Sequence, residues 1–295
     1  MPNIKINSEY LLKGNYVDVN AKTKEFSNCD FWHYAKTTTI NSILETGKIW
    51  INSFDKMNDL NEAELHSNVK SNVFALCFCN TNSEKIPMWY LYAGICGRGM
   101  RMGMTPSKML SFIKSIDEIY PVENECVSDT PIKIGTGFSM NCGWIYYRKN
   151  RGTIKHKGKW YDVDENDYDK FEKDNYFIKD YPWEYEKEFR IVFENKSGRH
   201  IDRIAVNVPQ SIINGLKLSF APEADYEDIM HMDGFREYLN NKIGKSNLMI
   251  KMDLLSRNKR DIVRNMKDII DNSNAEKVCE VLREGNFCKN GDKKD

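Results

Sequence analysis

Three features of this chain predict an α+β fold: many short strand-like segments, helices set apart from them, and no regular alternation of strand and helix. The 295 residues are enough to bury a core in one large domain. The pattern divides them into a polar lead-in over residues 1–30, a main domain over 31–255 and a C-terminal helical extension over 256–295. No internal repeat or low-complexity segment interrupts this order.

The first patterned unit is FWHYAKTTTINSILETGKIW, residues 31 to 50. Aromatic residues suit a pleated, half-buried surface, so Phe31–Tyr34 reads as a strand, and alternation sends His33 to the face opposite Trp32 and Tyr34. The three threonines after it are expected to cap a helix that carries Ile40, Ile43 and Leu44 at helical spacing. Gly47 closes that helix in a left-handed conformation, and Ile49-Trp50-Ile51 returns to strand. A polar loop over 52–72 includes Asn58, Asp59 and Glu62, and Val73 to Cys79 forms an apolar strand. Pro87 starts a short helix in its first turn, Gly94 ends it, and Trp89 and Tyr92 share a face there. Gly99 to Met104 is a strand. Ser107 to Tyr120 is an amphipathic helix with Leu110, Ile113, Ile116 and Ile119 inward.

The charge pattern then changes. Residues 143–159, GWIYYRKNRGTIKHKGK, hold six basic residues and no acid. Asp162 to Asp174 holds seven carboxylates and two lysines, so the two segments are expected to face each other as a hairpin or surface excursion. Glu188 to Phe193 alternates in the manner of a strand, and Ile204–Val208, Leu216–Phe220 and Leu248–Leu254 follow it. A helix is expected over about 223–242, and two polar helices over 257–285.

Lysine plus arginine equals aspartate plus glutamate, 43 of each, so no net charge draws the whole chain to nucleic acid or membrane. The longest apolar run, Val73 to Cys79, is too short to cross a bilayer, and Met1 to Tyr10 lacks the charged and apolar regions of a signal peptide. A cytoplasmic protein is expected, with no membrane partner. The eight cysteines then read as reduced thiols. None forms a CxxC pair, so no metal site is expected.

Three stretches have the residue types of a site. His33 can donate to or accept from a sugar hydroxyl, although a lone histidine on a strand is more often structural. Trp89 and Tyr92 can stack on a ligand ring, although aromatics at this spacing more often line a core. In WEYEKEFR, residues 183 to 190, alternation puts Glu188 and Arg190 on one strand face and Phe189 and Ile191 on the other. A carboxylate there is expensive to bury unpaired, and an exposed Glu188–Arg190 pair is the plainer alternative to catalysis.

Taken in order, FWHYAKTTTINSILETGKIW, IPMWYLYAG and WEYEKEFRIVF resemble a large bacterial domain-of-unknown-function family, family twenty-nine seventy-one. Its members carry WHY, MWxxYA and YEKEWR motifs. With INGLKLSFAPEADYEDI, the resemblance covers roughly residues 31–255. Leu60 stands where members usually carry proline. The first and third motifs also resemble those of DNA-targeting ADP-ribosyltransferase toxins.

This resemblance implies an ADP-ribosyltransferase-like fold, with mixed sheets and flanking helices, and NAD as co-substrate. It implies Glu188 as the catalytic carboxylate, with Glu186 as its competitor. It also implies Tyr92 and Trp89 against the nicotinamide, His33 on the adenosine-side ribose, and a basic residue among Arg148, Arg151 and Arg190 at the diphosphate. The toxins use an arginine after the first helix, and residues 47–89 contain none.

The acceptor implied is a nucleic acid or protein, the setting a toxin or anti-phage effector, and the partner a regulator or antitoxin. An NAD glycohydrolase is the close variant. A non-catalytic nucleic-acid-binding module on the basic and aromatic run 144–160 is the reading from another class; a solvated hairpin is the plainer account of that run.

Overall fold

The computed structural model describes residues 4–6, 28–57, 70–83, 85–93, 99–150, 152–163 and 176–221. In chain order these form β1 (Ile4–Ile6), β2 (Phe31–Lys36), helix α1 (Thr37–Thr46), β3 (Lys48–Asn52) and β4 (Val73–Asn80). A one-turn α2 (Ile86–Met88) runs into a π-helical turn (Trp89–Ala93), followed by β5 (Gly99–Met104), α3 (Pro106–Ser115), β6 (Glu118–Glu123), β7 (Cys126–Val127) and β8 (Ile132–Lys133). Strands β9 (Phe138–Trp144), β10 (Tyr146–Asn150), β11 (Thr153–His156), β12 (Lys159–Val163) and β13 (Ile178–Asp180) come next. A 3₁₀ helix (Tyr181–Glu186), β14 (Glu188–Asn195), β15 (Arg203–Asn207), α4 (Gln210–Ile213) and β16 (Lys217–Phe220) complete the series. The α+β class expected from the sequence is the class observed. The expected elements over 223–285, the loop at 58–62, Gly94 and Arg151 lie outside the described residues.

The chain divides into two compact units. One comprises Met1–Phe31, Ile49–Thr81 and Met109–Asn207, and the other Trp32–Lys48, Asn82–Lys108 and Val208–Asp295.

In the first unit β14 is the central strand, antiparallel to β4 on one side and to β9 on the other. Nearly all its side chains are buried, as a strand covered on both faces requires. A second sheet runs β1-β12-β11-β10-β13. Its inner face packs Tyr146, Ile154, Val163 and Ile178. The basic run is therefore an antiparallel β10–β11 hairpin continued by β12. A third sheet runs β3-β15-β6-β7, with β8 beside β6.

In the second unit β5 lies between β16 and β2, and every residue of its sequence GMRMGM is buried. The glycine at 103 matters here, because a Cβ would lie 2.6 Å from the Trp32 ring. Helix α1 buries Ile40, Ile43 and Leu44 and ends at Gly47, whose φ of 67° is left-handed and whose N–H donates to the Ile43 carbonyl.

Three local expectations are corrected. No threonine side chain caps α1: Lys36 occupies the cap position in extended conformation, and Thr37 is already a buried helical residue. The helix expected over 107–120 stops at Ser115, and Ile119 belongs to β6. Leu110, Ile113, Ile116 and Ile119 are all buried nonetheless, because β-branched residues around Pro121 favour a strand that buries the same side chains. Finally, Pro87 sits in the first turn of α2 as expected, but the helix widens to π geometry from Trp89. Residues three apart no longer share a face there, and Trp89 is buried while Tyr92 is half-buried and Tyr90 exposed.

His156 on β11 is buried with its ring 4.3 Å from that of Tyr146. Burial first, and the neighbouring Lys157 charge second, lower its pKa to about 4, against a hydrogen bond to the Ile145 backbone that raises it. The fold thus favours neutral imidazole. This contribution to stability is fully present above the unfolded value near pH 6.5 and is lost as pH falls towards 4. Urea unfolding at pH 7.5 and pH 4.5 should show wild type losing about 2 to 3 kcal/mol more than His156→Phe over that interval. Parallel losses in the two proteins would refute this role.

Candidate functional site

The clearest chemical cluster lies in the first unit, where the 3₁₀ helix Tyr181–Glu186 meets β14. Pro182 starts that helix, and Lys187, at φ 48°, ends it in the left-handed region. This conformation is uncommon for a residue with a side chain. Two backbone bonds hold the junction: the Asn80 N–H donates to the Lys187 carbonyl at 3.0 Å, and the Ile145 N–H to the Glu188 carbonyl at 3.1 Å. The reversal at Lys187 leaves Glu186 and Glu188 close enough to share one cation.

That cation is Lys179 on β13. Its Nζ lies 2.7 Å from Glu186 Oε2 and 3.3 Å from Glu188 Oε2. Arg190 completes the group, with Nε donating to Glu188 Oε1 at 2.5 Å and Nη2 to Oε2 at 3.3 Å. Its Nη1 donates to the Tyr176 carbonyl at 2.8 Å. The Glu188 N–H donates to Tyr147 Oη at 2.8 Å. All four charged residues are buried, Glu188 being 4% and Arg190 0% exposed.

Burial alone would push the Glu188 carboxyl up. The Arg190 charge, then that of Lys179, and hydrogen bonds from Arg190 and the Cys77 thiol outweigh it and hold the carboxyl well below the usual range. Burial and the Glu188 charge in turn push the Cys77 thiol and the Tyr147 phenol up, so both keep their protons. The result is a fixed anion in surroundings without bulk water, where electrostatic effects are strongest. Its two oxygens differ. Oε1 accepts the short Arg190 bond, whereas the Lys179 and Arg190 contacts to Oε2 are 3.3 Å long.

The structure thus brings together Glu188, Glu186 and Arg190 of the expected residues. The pair of Glu188 and Arg190 on one strand face is as alternation predicts, but it is buried rather than exposed. Arg148 instead pairs with Asp180 through Nε at 2.8 Å and Nη2 at 2.6 Å. Lys179, Tyr147 and Cys77 were not anticipated. A lone lysine in the apolar stretch Phe177-Ile178, seven and nine residues before the two acids, was the available signal for Lys179.

In the second unit His33 is half-buried on β2. Trp89 packs edge-on against Tyr34, with centroids 4.8 Å apart. Both rings surround Arg101, a buried residue of β5 that sequence reasoning passed over although it interrupts an apolar strand. The Arg101 guanidinium lies 4.1 Å from the Trp32 ring centroid and donates to Tyr34 Oη at 2.9 Å. Trp89 is therefore part of a cation–π core. Tyr92 is half-buried on the π turn.

Removing one member of a buried ion group leaves its partner uncompensated, at a cost of about 3 to 5 kcal/mol. Arg190→Met should lose about that much stability at pH 7 in urea unfolding. Because the depressed Glu188 pKa contributes stability only above the ordinary glutamate value, the gap to wild type should narrow as pH falls below about 4.5. A gap that is constant with pH would mean that Glu188 is not the charge left behind. No protein-family model matches this chain, and no curated protein matches it.

Proposed function

We propose that the protein is an NAD-dependent ADP-ribosyltransferase. The observation that supports this reading is the buried Glu188 carboxylate, held anionic at the start of a central strand and accompanied by a second carboxylate two residues before it. In the reaction, the bond between nicotinamide nitrogen and ribose C1′ breaks and its electron pair stays with nicotinamide. Positive charge develops on the ribose, as in glycoside hydrolysis. Glu188 stabilises that charge. Its Oε2, which Lys179 and Arg190 contact at 3.3 Å, is the oxygen that exchanges a protein partner for a ribose hydroxyl. A nucleophile on the acceptor then bonds to C1′ and gives up its proton, for which Glu186 is the second carboxylate available.

The motif resemblance, rather than geometry, assigns His33, Trp89 and Tyr92 to NAD and Arg148 or Arg190 to its diphosphate. The same resemblance supplies the nucleic-acid or protein acceptor, the toxin or anti-phage role and the restraining partner. With water as nucleophile the protein would be an NAD glycohydrolase.

Nicotinamide release from NAD by purified protein tests the proposal, with and without nucleic acid or protein acceptors. Glu188→Gln removes the charge and keeps the shape, so turnover should fall by about a hundredfold or more with near-UV circular dichroism unchanged. Labelled ADP-ribose recovered on an acceptor identifies a transferase, and free ADP-ribose a glycohydrolase. Wild-type turnover by Glu188→Gln, or no release by wild type under any condition, would overturn the reading.

A further inference from the structure

We infer that the β11–β12 end of the sheet face that carries Tyr147 and Lys155 binds single-stranded nucleic acid, by stacking bases on Trp160 and Tyr181 and by meeting phosphates with lysines beside them. The registers set one row across four strands: Lys179 opposite Tyr147, Tyr147 opposite Lys155, and Lys155 opposite Trp160. The first two of these are buried, and the row opens at Lys155 and Trp160, which are half-buried. The opposite face of the same strands carries the core residues Tyr146, Ile154 and Val163.

Tyr147 belongs to a core cluster against which Tyr181 also packs, and beyond it the row ends on a half-buried tryptophan. Trp160 and Tyr181, both half-buried, have centroids 5.2 Å apart. Lys155 Nζ lies 5.4 Å from each ring, and Lys149 Nζ 5.8 Å from Trp160. Lys149 is exposed beside them, and the exposed Lys157 lies 5.7 Å from the Trp144 ring centroid. Of the nearby acids, Glu184 pairs with Lys155 and Lys187, and Asp162 accepts from Thr153 Oγ1 at 3.4 Å. Lys149 and Lys159 have no ion pair among the described residues.

These features favour a single strand over other polyanions. Half-buried aromatic rings offer nothing to an acidic peptide that charge alone would not. A duplex keeps its base faces stacked inside. An unpaired strand offers both π-faces and regularly spaced phosphates, the combination that alternating aromatic and basic side chains recognise. The row begins at Lys179, which pairs with Glu186 and Glu188, but the binding does not depend on the transferase reading, since Lys149, Lys155 and Trp160 take no part in that reaction.

Fluorescence anisotropy of the full chain, without NAD, tests this with labelled mixed-sequence single strands of DNA and of RNA and with a duplex of the same length. The expected result is saturable binding of at least one type of single strand. Affinity for the duplex should be at least about tenfold weaker, and affinity for the strand should fall steeply between about 50 and about 200 mM salt. Trp160→Ala should weaken binding about tenfold. Lys149→Ala, on an exposed side chain that cannot disturb folding, should weaken it and lower the salt slope by about one. No binding at about 50 mM salt, equal or tighter binding of duplex, equal competition by polyglutamate, or an unchanged affinity and salt slope in Lys149→Ala would each overturn the inference.

Discussion

Glu188 can stay charged where it lies only because two cations lie beside it. Moving a carboxylate out of water costs several kcal/mol even after relaxation, and that cost must be offset by partners the fold delivers from separate places. Arg190 arrives two residues along the same strand, by the period of the pleat. Lys179 arrives from β13, which runs parallel to β10. Tyr147 comes from β10 itself, and Cys77 from β4, where it sits opposite Arg190. The left-handed turn at Lys187 brings Glu186 to the same lysine. Shifting β14 by one residue would turn Glu188 and Arg190 to the opposite face. The ion group and the register of the central sheet therefore depend on each other.

Much of the first unit could be read from the sequence because its strands alternate strongly or are continuously apolar. Val73–Cys79 and Glu188–Phe193 stood out, and the same-face placement of Glu188 and Arg190 followed from spacing alone. Their burial did not follow, because nothing local distinguishes an edge pair from a core pair. That depends on the strands either side, β4 and β9, more than 40 residues away in sequence. Lys179 was hidden for a related reason: its partners are set by a parallel pairing, which no hairpin turn announces. The error at α3 has another cause. Ile113, Ile116 and Ile119 fit a helical period, yet the chain changes to strand between them and buries all three.

The second unit shows the same dependence on tertiary placement with different chemistry. Arg101 is buried among rings and a hydroxyl: its guanidinium lies over Trp32, and its Nη1 donates to Tyr34 Oη. A guanidinium tolerates this better than an ammonium would, being planar and weakly hydrated. The alternation of β2 explains why Trp32 and Tyr34 turn to the same side, and the glycine at 103 explains why the Trp32 ring can lie so close to β5. Trp89, sited by the MWYLY segment, joins this group from the π turn. Its indole therefore has a structural task that aromatic spacing alone did not reveal.

A buried ion group of this kind is a poor device for stability alone. Well-packed apolar residues of similar volume often hold a core as well or better. Here four charged side chains, a thiol and a phenol occupy a position where β14 itself already supplies Phe189, Ile191 and Val192 to the core. The two ends of the group are also unequal. Arg190 grips one oxygen of Glu188 closely, while Lys179 stands nearer Glu186 than Glu188. In the reaction proposed above, a carboxylate held this way keeps its charge while it exchanges a protein partner for substrate, as stabilising a transient positive charge requires.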